Sequence, residues 1–300
     1  MPRFLDFYEV IGPAKLGFEN CNFFVASAGK KYVLRIYSTE HRRPRTKENI
    51  LFEINTMKFF ARYGIPIPAV VVNKKGEVVT EIGGRFAAMF EFIEGDHRYG
   101  RIKANHFSQI GQMIATIHNL TEKEKIVCDN IWETNFVDFV LQKVAQNQNI
   151  LTNEELHIAA LIKQKQTELS TLPQWFIHSD YYFGNLLFRE DKLVAVLDFD
   201  DYCLGNFLED ITRFFVAELA YSESSYFILT QEFVNAFWDG YLKARPLIDR
   251  ERGLIEDYLK IHYLNQLIRL ASANPKKIPG FKKQVKELKE FTGKYFKFQV

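Results

Sequence analysis

The chain has 300 residues, 47% of them hydrophobic and 25% charged, and a formal net charge of +2. The apolar share supports a packed core and excludes wholesale disorder, and the near-balanced charge excludes a strong pull toward nucleic acid or membrane. The length suits two lobes rather than one core. Cys21, Cys128 and Cys203 show no CxxC spacing and cannot all pair, so a reduced, cytoplasmic setting is expected. MPRFLDFYEV has no signal pattern, and no apolar run reaches the roughly 18 residues of a membrane span.

The first third reads as strands around one helix. Apolar runs at 20–28 and 31–37 flank Ala28-Gly29-Lys30, a hairpin turn. Ile50, Ile54, Met57 and Ala61 recur at helical spacing and predict a helix over 46–62, stopped at Gly64 and followed by extended chain at Pro66 and Pro68. Strand-like pieces follow at 69–73, 77–81 and 85–93. After Gly95 the pattern becomes helical, at 103–120, 134–147, 153–170, 206–221, 225–244, 253–271 and 280–297. Short strands at 186–188 and 193–197 interrupt it, joined by a turn at Glu190-Asp191-Lys192. The expected organisation is a mainly β lobe at 1–93 that binds nucleotide, and a mainly α lobe at 94–300 that holds the catalytic loop and acceptor site.

The chemistry concentrates in HSDYYFGNLLFREDKLVAVLDFDD, residues 178–201. Phosphoryl transfer needs a carboxylate to orient the attacking hydroxyl and take its proton, and oxygen ligands for the magnesium that neutralises charge between the β- and γ-phosphates. Asp180 fits the base, and Asn185 and Asp198 fit the metal ligands. The order HxDxxxxN, hairpin, Asp-Phe is a kinase pattern. A lone Asp-Phe-Asp is usually a turn and a lone buried His usually core, but four residues matching in order are not explained that way. His178 is expected to hold the loop rather than to move protons.

These motifs resemble the family of aminoglycoside phosphotransferases, choline kinases and type II homoserine kinases. Its HGDxxxxN loop corresponds to HSDYYFGN here, and its IDFDD segment is similar to VLDFDD at 196–201. The resemblance extends to GFENCNFFV at 17–25, YVLRIY at 32–37, FEFIEGD at 90–96, IGQMIATIHNL at 110–120 and LEDITRFF at 208–215, where Asp210 falls on a segment often reading DLA. It implies an α+β, two-lobed, protein-kinase-like fold, with ATP and Mg2+ as cofactors and a small-molecule hydroxyl as acceptor. It also implies Asp180 as base and Asn185 and Asp198 as metal ligands.

Arg35 stands where kinases carry a strand lysine for the α- and β-phosphates. A buried cation needs a partner, and Glu53 on the following helix is the expected one. Glu91, Phe92 and Ile93 are the expected hinge, meeting adenine through backbone groups and apolar walls. Asp200 and Asp201 follow the metal ligand and are expected to favour an amine-bearing acceptor, an amino acid, amino alcohol or aminoglycoside. Adjacent residues point to opposite sides, so one of the two is expected to face solvent or cap the helix starting near Asn206.

No GxGxxG appears, Ser179 stands where protein kinases have Arg, and no APE motif follows Asp198. Regulation by activation-loop phosphorylation is therefore not expected. The competing readings are a catalytically silent kinase-like binding module and a protein Ser/Thr kinase. Lys282, Lys283, Lys286, Lys289, Lys294 and Lys297 are read as the solvated face of an amphipathic helix, not a nucleic-acid patch.

Overall fold

The structure is a computed structural model that describes residues 9–14, 20–39, 45–98, 100–126, 128, 135–221 and 228–297. Gly17, Phe18 and Glu19 of the GFENCNFFV segment lie outside the described residues. The chain divides into two units, Met1–Asp96 with Val194–Asp200, and His97–Leu193 with Asp201–Val300. A single cut at residue 93 leaves Val194–Asp200 with the second part, whereas in the structure this segment belongs to the first.

The first unit is an antiparallel sheet with one helix. It contains β1 (Glu9–Pro13), β2 (Cys21–Ser27), β3 (Lys30–Ile36), α1 (Lys47–Arg62), β4 (Val70–Val71), β5 (Thr80–Ile82) and β6 (Arg85–Glu91). The strand order is β1-β2-β3-β6-β4, with β5 also on β6. The β2–β3 turn holds Ala28 and Gly29, both at positive φ (48° and 76°). That is the turn whose twist matches flanking strands. Val25, Leu34, Ala87 and Met89 form the sheet's buried cluster.

β1 had no counterpart in the sequence reading. Its residues are almost all exposed and its pairing is broken by a bulge between Val10 and Gly12, so it carries no alternating apolar signal. The Thr46 side chain caps α1, accepting the Asn49 N–H at 3.2 Å. The helix buries Ile50, Glu53, Ile54, Met57 and Phe60. The stripe thus ends on Phe60, not on the expected Ala61, which is exposed. Adjacent residues lie about 100° apart on a helix, and the aromatic, which removes more apolar surface from water, takes the inward side. The segment Val194–Asp200 is held in this unit by the Val196 N–H on the Pro66 carbonyl at 2.8 Å and by Phe199 against Phe60, ring centres 6.0 Å apart.

The second unit begins with α2 (Ala104–Glu124), α3 (Phe136–Gln146), α4 (Asn153–Gln164) and α5 (Gln166–Leu169). There follow β7 (Trp175–Ile177), β8 (Leu186–Arg189), β9 (Lys192–Val196), whose last residues pass to the first unit, and β10 (Cys203–Gly205). It closes with α6 (Phe207–Tyr221), α7 (Gln231–Ala244), α8 (Asp249–Ala273) and α9 (Ile278–Phe296). β7 and β10 pair antiparallel; at three residues each they are too short for period-2 patterning to show. The helix expected over 153–170 breaks at Lys165 into α4 and α5. The one expected from 225 starts at Gln231, after the Thr230 cap.

Two glycines set the tightest helix contact. A Cβ at Gly111 of α2 would lie 2.1 Å from the Phe237 carbonyl oxygen, and one at Gly240 of α7 would lie 2.1 Å from that of Ser108. The two helices meet backbone to backbone there, which only glycine permits. α9 buries Phe281, Val285, Leu288 and Thr292, and Lys282 and Lys289 bridge to Glu155 (2.6 Å) and Glu256 (3.2 Å). Among the described residues no helix is long and apolar enough to cross a membrane.

Candidate active site

The HSDYYFGN loop lies on one face of α6. Asp210, wholly buried, accepts the backbone N–H of His178 at 3.0 Å and of Ser179 at 2.7 Å. One turn on, the Arg213 guanidinium reaches the Asp180 carboxylate at 3.1 Å. Phe214 packs on the buried Phe183 ring, centres 5.9 Å apart, and Phe107 of α2 does so at 5.7 Å. Glu218 then accepts the Phe183 N–H at 2.9 Å. Positions 210, 213, 214 and 218 follow i, i+3, i+4, i+8, so one helical stripe holds four points of the loop.

The anchor is itself anchored. His118 of α2 lies 3.2 Å from Asp210 through Nε2 and 2.9 Å from the Tyr241 hydroxyl through Nδ1. Burial lowers its pKa, against the pull of Asp210, so the ring is neutral, donating to Asp210 and accepting from Tyr241. Burial raises Glu218 to about 7.

Within the loop, His178 is fully buried, stacks on Tyr181 at 4.3 Å, and accepts the Asp180 N–H at 3.2 Å. Asn185 donates from Nδ2 to the Asp180 backbone carbonyl and to Asp180 Oδ2, both at 2.9 Å. The amide nitrogen is thus taken up by Asp180, which leaves the amide oxygen as the Asn185 atom able to ligate a cation. Ser179 sits at φ 62°, the left-handed region where the resembling family carries glycine. A side chain there costs about 1 kcal/mol or more, and such strain gathers at functional sites.

In the first unit the expected phosphate residue Arg35 lies 3.0 Å from Asp198 and 3.7 Å from Glu53. Its nearer partner is thus the metal-ligand candidate, which joins the Arg35–Glu53 pair read from sequence rather than replacing it. The reason is that Val194–Asp200 folds with β3 and α1, which spacing alone does not reveal. Asp198 is also at φ 62°. Glu53 is 1% exposed and burial pushes it up to about 7, with Arg35 pulling the other way.

Asp200 corrects a second expectation. It is buried, and its carboxylate takes hydrogen bonds from Asn20 at 2.5 Å and from Arg45 at 2.8 Å. It is a strut within the first unit rather than a group facing an acceptor. Asp201 lies in the second unit and is half-buried. Asn206 caps α6, its Oδ1 accepting the Leu208 N–H at 3.0 Å. Glu91 ends β6 and Phe92 follows it, and their N–H groups bond to the carbonyls of Ala69 (2.8 Å) and Lys31 (3.2 Å), so of the residues 91–93 Ile93 keeps its amide outside those bonds.

Arg213, Glu218, His118, Asn20 and Arg45 were not singled out in the sequence. The available signal was the polar residues Asp210, Arg213 and Glu218, with Glu209 and Thr212 beside them, inside a largely apolar α6. Among the described residues no three His, Cys, Asp or Glu side chains form a ready metal cage. Asp198 in the first unit and Asn185 in the second each offer a hard oxygen of the kind a divalent ion takes.

A small antiparallel sheet with one helix, and a helical unit carrying an HxDxxxxN loop, define a kinase-like phosphotransferase. The chain belongs to the phosphotransferase enzyme family, which it matches over residues 10–254. It is 28% identical over 263 residues to a homoserine kinase of Polaromonas naphthalenivorans, covering 84% of this chain and 79% of that protein. Among solved structures it resembles an amicoumacin kinase with TM-score 0.68 at 19% identity, covering 92% of this chain and 88% of that one. It resembles a microcompartment-associated aminopropanol kinase with TM-score 0.67 at 16% identity, covering 94% and 91%. The protein is a small-molecule kinase, an ATP-dependent O-phosphotransferase.

Proposed function

We propose that the protein transfers the γ-phosphate of Mg-ATP to the hydroxyl of a small amine-bearing molecule, a hydroxy amino acid or amino alcohol. The observation that carries this is the Asp180–Asn185 pair, with the base candidate held by Arg213 of α6 and the Asn185 amide nitrogen taken up by Asp180. Asp180 orients the hydroxyl and takes its proton. The acceptor oxygen bonds to the γ-phosphorus as the bond to the β–γ bridging oxygen breaks, its electron pair leaving on ADP. Magnesium, when bound, supplies charge neutralisation on the phosphates.

Asn185 and Asp198 would hold the ion. Arg35 binds phosphate oxygens, and Glu53 helps fix its guanidinium. The first unit is read as the nucleotide-binding part and the second as the acceptor part. Recognition of a purine at Glu91, Phe92 and Ile93 falls to carbonyl groups and the Ile93 amide. The amine-bearing acceptor is supported by the likeness to a homoserine kinase and an aminopropanol kinase. Cytoplasmic location is supported by three free cysteines. A screen of amino acids, amino alcohols and aminoglycosides, read by ADP release, tests the reading. Turnover confined to amine-free sugars or nucleosides would contradict the acceptor class.

A further inference from the structure

Beyond Asp210, the pair of His118 and Tyr241 continues into Arg245 and Glu251. Arg245 is the first residue past α7, and its N–H bonds to the Tyr241 carbonyl at 2.8 Å. Its guanidinium donates from Nη1 to the Tyr241 hydroxyl at 3.4 Å and to Glu251 Oε2 at 3.1 Å, and from Nη2 to Glu251 Oε1 at 2.9 Å. Glu251 also accepts the Ile248 N–H at 3.0 Å. The Phe207 ring has the Arg245 guanidinium 4.6 Å from its centre and stacks on His118 at 4.1 Å. His118, Asp210, Tyr241, Arg245 and Glu251 are all buried, and all five belong to the second unit.

The direction of this chain is set from its outer end. A guanidinium only donates, so the Tyr241 oxygen accepts from Arg245, and the hydroxyl proton goes to His118 Nδ1. A neutral ring that accepts at Nδ1 carries its proton on Nε2, and Nε2 donates to Asp210. Asp210 then accepts the N–H groups of His178 and Ser179. A proton on Nδ1 would meet the hydroxyl proton, and that proton cannot turn to Arg245, where it would face another donor. Burial first lowers the His118 pKa, against the pull of Asp210, and Arg245 adds to the lowering. The far end of the loop has a separate hold, because the Phe183 N–H goes to Glu218, outside this chain.

We propose that Arg245 is a positioning residue for phosphoryl transfer. As the donor-only end of the chain through Tyr241 and His118, it fixes which edge of the His118 ring donates to Asp210, and so sets the start of the loop that presents Asp180. It acts through Asp210, not on phosphate or acceptor. This rests on Asp180 being the base. Hydrogen bonds in a buried chain polarise one another, so a charge at the far end strengthens the bond that reaches Asp210. Because Asn185 sits at the end of the loop held by Glu218, the chain bears on the proton-accepting end more than on the metal-holding end.

Nitrogen-15 NMR of the full-length protein reads the chain without any acceptor. In wild type the His118 signals should show a proton on Nε2 and a bare Nδ1. Tyr241→Phe removes the donor to Nδ1. Hydrogen exchange at the His178 and Ser179 amides should then speed up by roughly 10-fold, the scale of one lost hydrogen bond, while the Phe183 amide keeps its wild-type rate. ADP release from Mg-ATP with L-homoserine present, which counts transfer to homoserine or to water, should lose roughly 3- to 10-fold in kcat with the KM for ATP little changed. Arg245→Met paired with Glu251→Gln removes both charges, so that no buried carboxylate is stranded, and should match Tyr241→Phe in both readouts. Arg245→Lys keeps a donor-only cation and should recover most of both. If the double variant does not fold, Tyr241→Phe and Arg245→Lys carry the test. A wild-type His118 protonated on Nδ1, unchanged exchange in Tyr241→Phe, exchange that rises equally at Phe183, or a double variant that behaves as wild type overturns the proposal. Selective exchange with undiminished ADP release also overturns it, and full turnover in Asp180→Asn then traces the failure to the base assignment rather than to the chain.

Discussion

The guanidinium of Arg35 lies closer to Asp198, at 3.0 Å, than to Glu53, at 3.7 Å. The strand cation is thus tied to the carboxylate that would hold the metal, and the helix carboxylate stands behind it, buried. Arg35→Ala should raise the KM for ATP by roughly 10- to 100-fold, the scale of a lost charge-assisted contact. Glu53→Ala should do the same more weakly, since it acts through Arg35. Steady-state kinetics on both variants checks this, and an unchanged KM in Arg35→Ala would return that residue to a structural role.

Asp198→Ala should abolish magnesium-dependent binding of ATP, and Asn185→Ala should weaken it less, because a carboxylate is the stronger ligand for a hard cation. Calorimetric titration of Mg-ATP into each variant gives the comparison. Affinity equal to wild type in Asp198→Ala contradicts the ligand assignment.

Asp180→Asn should lower kcat by about 10²–10⁴-fold, the usual contribution of a general base, with ATP affinity nearly intact. The side chain keeps its size, so the bond from Asn185 and the loop should survive. Near wild-type turnover with the true acceptor would remove Asp180 from the chemistry.

Asp210→Ala should destabilise the fold and slow catalysis together. It strands the N–H groups of His178 and Ser179 and the ring of His118, and each buried donor left without an acceptor costs about 1–3 kcal/mol. Asp210→Asn keeps one acceptor oxygen and should lose less. Thermal melts with kcat on the same preparations test it; a wild-type melting temperature in Asp210→Ala would show that the loop is held elsewhere.

Glu218 gives a pH dependence with a definite sign. Burial raises it from 4.5 to about 7 in the folded protein, so the folded state binds its proton more tightly than the unfolded chain. Its contribution to stability is fully present below about pH 4.5 and is lost as pH rises through about 7. Glu218→Gln keeps an oxygen for the Phe183 N–H and cannot ionise. Its melting temperature should therefore fall less than that of wild type between pH 5 and 8. Parallel slopes in the two proteins would rule the linkage out.

The β-rich start and helical remainder were legible because apolar periodicity and turn residues are local. α9 shows this well: Phe281, Val285 and Leu288 are read from spacing and are buried in the fold. β1, β7 and β10 were not legible, being too exposed or too short to show a period. Asp180, Asn185 and Asp198 stood out because a loop and a hairpin keep them within twenty residues of chain.

The sequence by itself determined the class of chemistry, since the carboxylates and amide of residues 178–201 come in a fixed order that few functions need. Tertiary structure alone decided who partners them. Asp198 meets Arg35 from 163 positions away, Asp200 is taken up by Asn20 and Arg45, and Asp180 is met by Arg213 from α6. Such pairings depend on which helix face and which strand register come together, and those are set by burial summed over the whole chain. No short window of sequence contains that sum.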